Sequence, residues 1–63
     1  MTLRELIYKC SNIDEDTYVE LISSSIVIFA GYIKDMPDIY KCYKVRYFEY
    51  VGDNRFVIDT KMW

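Results

Sequence analysis

The sequence predicts a small α+β domain in which a short N-terminal helix packs on antiparallel β-hairpins, in the order αββαββ. At the start of the chain, apolar residues recur at the spacing of a helix behind a capping motif. The later apolar runs are rich in β-branched and aromatic residues and are separated by short polar loops, which is typical of hairpins. A chain of 63 residues holds one domain, so we expect a single domain over residues 1–63.

The first element is predicted to be a helix of about two turns. Thr2 and Glu5 have the spacing of a capping box, in which each side chain binds a backbone N–H at the start of the helix. One face then carries apolar residues at i, i+3, i+4 and i+7, namely Leu3, Leu6, Ile7 and Cys10. Because so short a helix is marginal in isolation, it must dock on the rest of the domain.

Residues 17–22 and 26–33 are predicted to form a first hairpin closed by three serines. In that register Ile22 pairs with Ile26, and one side of the hairpin carries Val19, Leu21, Val27 and Phe29. The opposite side then carries Tyr18, Glu20, Ile22, Ile26 and Ile28. A sheet face in water normally carries polar residues. This second apolar face is therefore either covered by the second hairpin or by residues 38–43, as a second small core, or it meets another chain, which is a second copy or the target. The preferred form of a contact with another chain is a homodimer, because a symmetric pairing also offsets the small core.

The second half of the chain predicts a further helical segment and a second hairpin. Residues 38–43 follow a Pro and are predicted to form one or two helical turns. These turns, or the second hairpin, could cover the second face of the first hairpin. Residues 44–51 and 55–61 are predicted to be strands around a Gly-Asp-Asn turn. Their register gives two large apolar pairs, Tyr50 with Phe56 and Phe48 with Ile58. Gly31, inside the first hairpin, predicts a bulge or a close backbone approach.

Composition and charge limit the class of partner. The formal net charge is −2 and the eight basic residues are scattered, which argues against nucleic acid or an anionic membrane as the partner. The longest apolar run, residues 26–30, is far shorter than a membrane span requires. No signal-peptide pattern is visible, so we expect a cytoplasmic protein in which Cys10 and Cys42 are free thiols.

The residue types needed for common catalytic or metal sites are missing. The chain contains no His, which is the most common general base and metal ligand. Cys10 and Cys42 lack a zinc-site spacing, and the isolated Gly31 and Gly52 form no phosphate-binding loop. We therefore expect a protein that is not an enzyme, with no catalytic residues, no metal and no cofactor.

Tyrosines supply the remaining candidate site residues. Several of the seven tyrosines lie close to Lys41, Lys44 and Arg46, an arrangement that suits either base stacking or a protein interface. Tyr also covers core edges while its hydroxyl meets water. Together with the second face of the first hairpin, the predicted partner-binding residues are Tyr18, Ile22, Ile26, Ile28, Tyr40, Tyr43 and Tyr47. Trp63 is either a loosely packed terminus or a hot-spot residue.

Three stretches resemble small accessory proteins encoded by phages and prophages of Firmicutes. They are TLRELI at residues 2–7, DTYVEL at 16–21 and IFAGYIKDMP at 28–37. The resemblance implies an anti-defence protein of the anti-CRISPR kind, an inhibitor that binds a host protein of an antiviral system, and it carries over no functional residue. The alternatives are a small nucleic-acid- or nucleotide-binding module that uses a Tyr/Lys/Arg surface, and a structural phage subunit.

Overall fold

A computed structural model describes residues 1–61 of the chain. The elements are, in chain order, helix α1 (Leu3–Lys9), strands β1 (Tyr18–Ser23) and β2 (Ile26–Tyr32), two 3₁₀ helices (Ile33–Asp35 and Asp38–Cys42), and strands β3 (Lys44–Gly52) and β4 (Arg55–Lys61). The strands form one sheet in the order β2-β1-β4-β3. The α+β class is confirmed. The expected order of elements is matched in part, because the second helical segment is a 3₁₀ helix.

The sheet is mixed, so the expectation of antiparallel pairing alone is wrong. Each hairpin is antiparallel, but β1 pairs with β4 in parallel, from Tyr18 with Arg55 to Ile22 with Asp59. The reason is the long connection over residues 33–43. It carries the chain back along the sheet, so that β3 runs in the direction of β2 and β4 in the direction of β1.

The first hairpin turns through two residues, where the sequence predicted three. Ser24 and Ser25 both have positive φ, at 53° and 65°, which is the conformation of a type I′ turn. Ser23 therefore pairs with Ile26, the position that was predicted for Ile22. A shift of one residue moves a side chain to the other face of a sheet, so the predicted faces change near this turn.

A β-bulge beyond the turn restores the predicted faces for the β2 residues that follow it, so that Phe29 again lies on the core side. Leu21 pairs with Phe29, while Ile28 is the extra residue on β2 and packs against the hydrophobic core. The prediction that Ile28 lies on the face opposite the core is therefore wrong, and Val27 lies there instead. At Gly31 the close contact is made by a side chain and not, as predicted for this glycine, by another backbone, since the Phe29 ring lies 3.1 Å from where a Cβ would be; the bulge lies at Ile28.

The second hairpin has the predicted register from Tyr50 inward, but the predicted three-residue turn is wrong: Gly52 pairs with Arg55, and Val51 is the extra residue at a bulge. Its turn residues Asp53 and Asn54 have positive φ, at 54° and 58°, and the strands on either side are Lys44–Gly52 and Arg55–Lys61. The predicted pairs are confirmed as Tyr50 with Phe56 and Phe48 with Ile58.

The hydrophobic core lies between α1 and one face of the sheet. The two central strands supply its middle, because Val19 and Leu21 of β1 and Phe56 and Ile58 of β4 are all buried. The other buried hydrophobic residues come from α1 and the connecting segments: Leu3, Leu6, Ile13, Ile33 and Met36. The edge strands β2 and β3 are more exposed than the two strands between them.

The predicted capping box is confirmed at the start of α1. The Thr2 hydroxyl accepts the Glu5 backbone N–H at 3.3 Å, and Glu5 Oε1 accepts the Thr2 backbone N–H at 3.1 Å. These contacts with the Thr2 backbone and hydroxyl hold the pKa of the Glu5 carboxyl below its ordinary value. Thr2 also bridges to Lys44, so the cap joins the helix start to β3.

Replacing the cap is expected to weaken the whole domain. Thr2→Ala removes the hydroxyl acceptor and should lower the free energy of unfolding by about 0.5–2 kcal/mol. Thr2→Ser keeps an acceptor and serves as the control. Urea titrations followed by circular dichroism measure the difference. Equal midpoints for the wild type and Thr2→Ala would show that the cap contributes nothing to global stability.

Candidate functional site

One face of the sheet has no helix packed on it within residues 1–61. The helix and the 3₁₀ helix Asp38–Cys42 lie together on the core side, and the second hairpin extends the sheet sideways. Neither one covers the second face of the first hairpin, so the second small core, one of the two predicted alternatives, is absent from these residues. We call this uncovered surface the open face. Its residues lie in three rows across the strands: Val27, Ile22, Asp59 and Tyr47; Ala30, Glu20, Val57 and Glu49; and Tyr32, Tyr18 and Arg55.

One corner of the open face combines aromatic rings with cations. The rings of Tyr18 and Tyr32 meet edge to face at 5.5 Å between centroids. The Arg55 guanidinium lies 5.1 Å from the centre of the Tyr18 ring, and Lys34 Nζ lies 5.7 Å from that of Tyr32. Lys34 also lies 3.7 Å from an Asp16 carboxylate oxygen. These contacts fix the two rings beside positive charge.

The opposite end of the open face is apolar with one ion pair. Val27 is 54% exposed and lies beside the half-buried Ile22. The row continues through Asp59, whose carboxylate lies 4.0 Å from Arg46 Nε, to the exposed Tyr47. This end therefore offers aliphatic and aromatic surface beside a paired charge.

The middle row of the open face is acidic. Glu20 and Glu49 lie on either side of Val57, one on each neighbouring strand. Neither carboxylate has an ion-pair partner among the residues that the structure describes. Two unpaired acidic side chains therefore flank the centre of the open face.

The predicted partner-binding residues do not form one surface. Tyr18, Ile22 and Tyr47 lie together on the open face, as their strand positions require. Ile26 pairs with Ser23 and thus lies at the tip of the first hairpin, on the core side by strand alternation. Its predicted position on the same face as Tyr18 is wrong for the same reason as that of Ile28, namely the shorter turn.

Tyr40 and Tyr43 belong to an aromatic cluster on the core side. The Tyr40 hydroxyl donates to the Ile28 carbonyl at 3.3 Å, and its ring lies 5.9 Å from Phe29 and 5.5 Å from Tyr43. Both tyrosines are half-buried. Tyr40 therefore covers the edge of the core and of β2 while its ring packs inward.

Sequence reasoning missed Val27 and Tyr32 on the open face. Both are exposed. Val27 follows from the register that the two-residue turn creates, whereas Tyr32 shares a face with Tyr18 in the predicted register as well, by strand alternation. The signal for Val27 was the pair of serines that can close the hairpin by themselves. Nothing local in the sequence distinguishes that turn from a three-residue loop.

A shallow cleft of about 560 Å³ lies beside β3 on the core side of the sheet. Phe56 is its buried member, and the Tyr50 ring lies 5.2 Å from the Phe56 ring. The full lining is Cys10, Asn12, Phe48, Tyr50, Asn54 and Phe56. The cleft therefore makes the inner side of the β3 edge apolar as well.

Other features of the chain add no further site. Among residues 1–61, no cluster of His, Cys, Asp and Glu is arranged to hold a metal ion. Cys10 and Cys42 are both free thiols. Trp63, a candidate hot spot, lies outside the described residues. None of the helices found in the described part has the length and apolar character that crossing a membrane requires.

No protein-family model, curated protein or solved structure matches the chain.

Proposed function

We propose that the protein works by binding another protein through its open face. The observation that carries the proposal is that this face is uncovered although many of its side chains are apolar or aromatic. A sheet with one face in water normally alternates apolar and polar residues, so that the wet side is polar. Here the uncovered side presents Val27, Ile22, Val57 and three tyrosines. Fully burying an exposed aliphatic side chain contributes about 1.5–3 kcal/mol before the costs of association, and the half-buried Ile22 and Val57 would contribute less than that.

The charges on the open face favour a particular kind of protein partner. Glu20 and Glu49 flank the apolar centre and lack ion-pair partners within the described residues. A partner that places Lys or Arg side chains opposite them gains complementary contacts, whereas an acidic partner is repelled. The partner that fits is therefore a protein with an apolar patch flanked by basic residues.

The class of target rests on the sequence resemblance. Small phage and prophage proteins that resemble this chain imply a partner in a bacterial antiviral system, which the protein would inhibit by direct binding. The site of action would then be the host cytoplasm, where Cys10 and Cys42 stay reduced.

A second candidate function is nucleic-acid or nucleotide binding at the Tyr18 corner. The favouring observation is that Arg55 and Lys34 lie over the Tyr18 and Tyr32 rings, since stacked aromatics beside cations also bind bases. The two carboxylates of the middle row and the net charge of −2 oppose a polyanion. We therefore prefer the protein partner.

A matched pair of variants tests the open face. Val27 is 54% exposed on the open face, and Ile39 is 67% exposed in the 3₁₀ helix Asp38–Cys42 on the core side. Val27→Lys should remove partner binding, because it places an ammonium group in the apolar part of the face. Ile39→Lys adds the same charge elsewhere and should leave binding unchanged. Tagged proteins are incubated with nuclease-treated lysate of a Firmicutes host, and captured proteins are compared by quantitative mass spectrometry.

The outcomes separate the candidate functions. Proteins retained by the wild type and by Ile39→Lys but lost with Val27→Lys support the open face as the binding surface. Identical captures by all three proteins contradict it. Binding to a fluorescent oligonucleotide that falls steeply with salt and is lost on Arg55→Ala would favour nucleic acid instead.

A further inference from the structure

We propose that two copies of the chain pair antiparallel through the outer edges of β3, centred on Phe48, and so form one continuous sheet. This inference is independent of the partner proposed for the open face. A twofold axis perpendicular to the sheet relates the copies, which leaves both open faces on the same side. The dimer would therefore present a surface of twice as many strands to any partner.

Within residues 1–61, the outer edge of β3 is paired only at its first two residues, Lys44 and Val45. There the Val45 backbone N–H donates to the Met1 carbonyl at 2.8 Å, and Thr2 bridges to Lys44. From Arg46 onward, no strand among residues 1–61 lies along this edge. An edge with free N–H and C=O groups is a template for a further strand.

The pairing pattern shows which backbone groups point outward. Gly52 and Arg55 close the two-residue turn, so the backbone groups of every second β4 residue from Arg55 point toward β3. Those residues are Val57 and Asp59, and the groups of their partners Glu49 and Tyr47 point back toward β4, because the bulge at Val51 shifts the alternation along β3 by one residue. The outward groups are then those of Tyr50 and Phe48. The outward Val45 N–H agrees with this alternation once the bulge between Val45 and Tyr47 is counted.

The opposite edge of the sheet is protected, and β3 is not protected in the same way. On β2 the Ile28 carbonyl is bound by the Tyr40 hydroxyl, and the bulge at Ile28 interrupts the edge. On β3, large apolar side chains are exposed on both sides of the strand. They are Tyr47, Phe48, Tyr50 and Val51. Added strand pairing at β3 would thus also bury apolar surface.

Charge selects a register centred on Phe48. In that register Tyr47 lies opposite Glu49 of the second copy, where its hydroxyl can donate to the carboxylate, and the two Phe48 rings face each other. Centring on Glu49 puts two carboxylates directly opposite, which is destabilising. Centring on Tyr47 places Tyr50, whose backbone groups point outward, against Lys44, where Thr2 of the same chain already lies. The strand is therefore self-complementary about Phe48.

Self-association of the full chain is the first test. Sedimentation velocity over a concentration series should give a dimer for the wild type and for Val27→Lys. Phe48→Lys should shift the dissociation constant upward by at least about ten-fold. A wild type that stays monomeric at about 1 mM, or a folded Phe48→Lys that dimerises like the wild type, would overturn the proposal. Val27→Lys tests the open face and Phe48→Lys the edge, so the two proposals can fail separately.

Disulfide trapping tests the register and does not depend on the charge variant. In a Cys10→Ala and Cys42→Ser background, Phe48→Cys should give a covalent dimer on mild oxidation, because symmetric positions at the axis are adjacent. Glu49→Cys in the same background is the matched control and should crosslink at least about ten-fold more slowly. Equal crosslinking of both variants, or faster crosslinking of Glu49→Cys, would contradict a dimer centred on Phe48.

Discussion

Leu21→Ala is expected to leave most of the protein unfolded at room temperature. Leu21 has no exposed surface, and it lies on a central strand between Phe29 of β2 and Ile58 of β4. Truncating a fully buried Leu to Ala costs about 2–5 kcal/mol, from lost transfer energy and from the cavity that remains. A core in a chain of this size supplies roughly 3–5 kcal/mol of net stability. The loss is therefore comparable to the whole free energy of unfolding.

The matched control for this variant lies on the neighbouring strand. Val27→Ala removes apolar atoms at an exposed position, so it should change the free energy of unfolding by less than about 1 kcal/mol. Far-ultraviolet circular dichroism and urea titration of the two variants measure the difference. A cooperative Leu21→Ala transition within about 1 kcal/mol of the wild type would show that the central strands are not the core of the domain.

The elements that the sequence predicted correctly are those with local signals. Thr2 and Glu5 are close in the chain, so the capping box can be recognised without tertiary information. The Tyr50–Phe56 pair follows from a turn whose residues favour positive φ. Both predictions needed only contacts between residues that are near in sequence.

The elements that were predicted wrongly depend on contacts that are distant or nearly degenerate. Three consecutive serines can close either a two-residue or a three-residue turn, and the choice decides whether Val27 or Ile28 faces the core. The parallel pairing of β1 with β4 joins residues far apart in the chain, so neither hairpin alone indicates it. Of the candidate site, Tyr18, Ile22 and Tyr47 were identified because their strands were placed correctly.

Thr17→Val is expected to lower the free energy of unfolding by about 1–3 kcal/mol. The Thr17 side chain is fully buried, and its hydroxyl accepts the Asp14 backbone N–H at 3.0 Å. The same oxygen lies 3.2 Å from both Asp14 Oδ1 and Asn54 Oδ1, to one of which it donates. Val has nearly the shape of Thr, but it can neither accept the Asp14 backbone N–H nor donate to an Oδ1 atom. The variant therefore measures the contribution of the hydroxyl.

The expected effect is large because the buried Thr17 hydroxyl lies between the loop before β1 and the turn between β3 and β4 at one end of the sheet. In Thr17→Val the Asp14 backbone N–H and both Oδ1 atoms beside the hydroxyl lose this partner, whereas the bond from the Ile33 backbone N–H to the Thr17 carbonyl is unchanged. Thr17→Ser keeps the hydroxyl and should recover most of the lost stability, apart from the missing methyl group. Urea titrations compare the three proteins. A Thr17→Val midpoint equal to that of the wild type, or one no lower than that of Thr17→Ser, would show that packing, and not this hydrogen-bond network, holds the end of the sheet together.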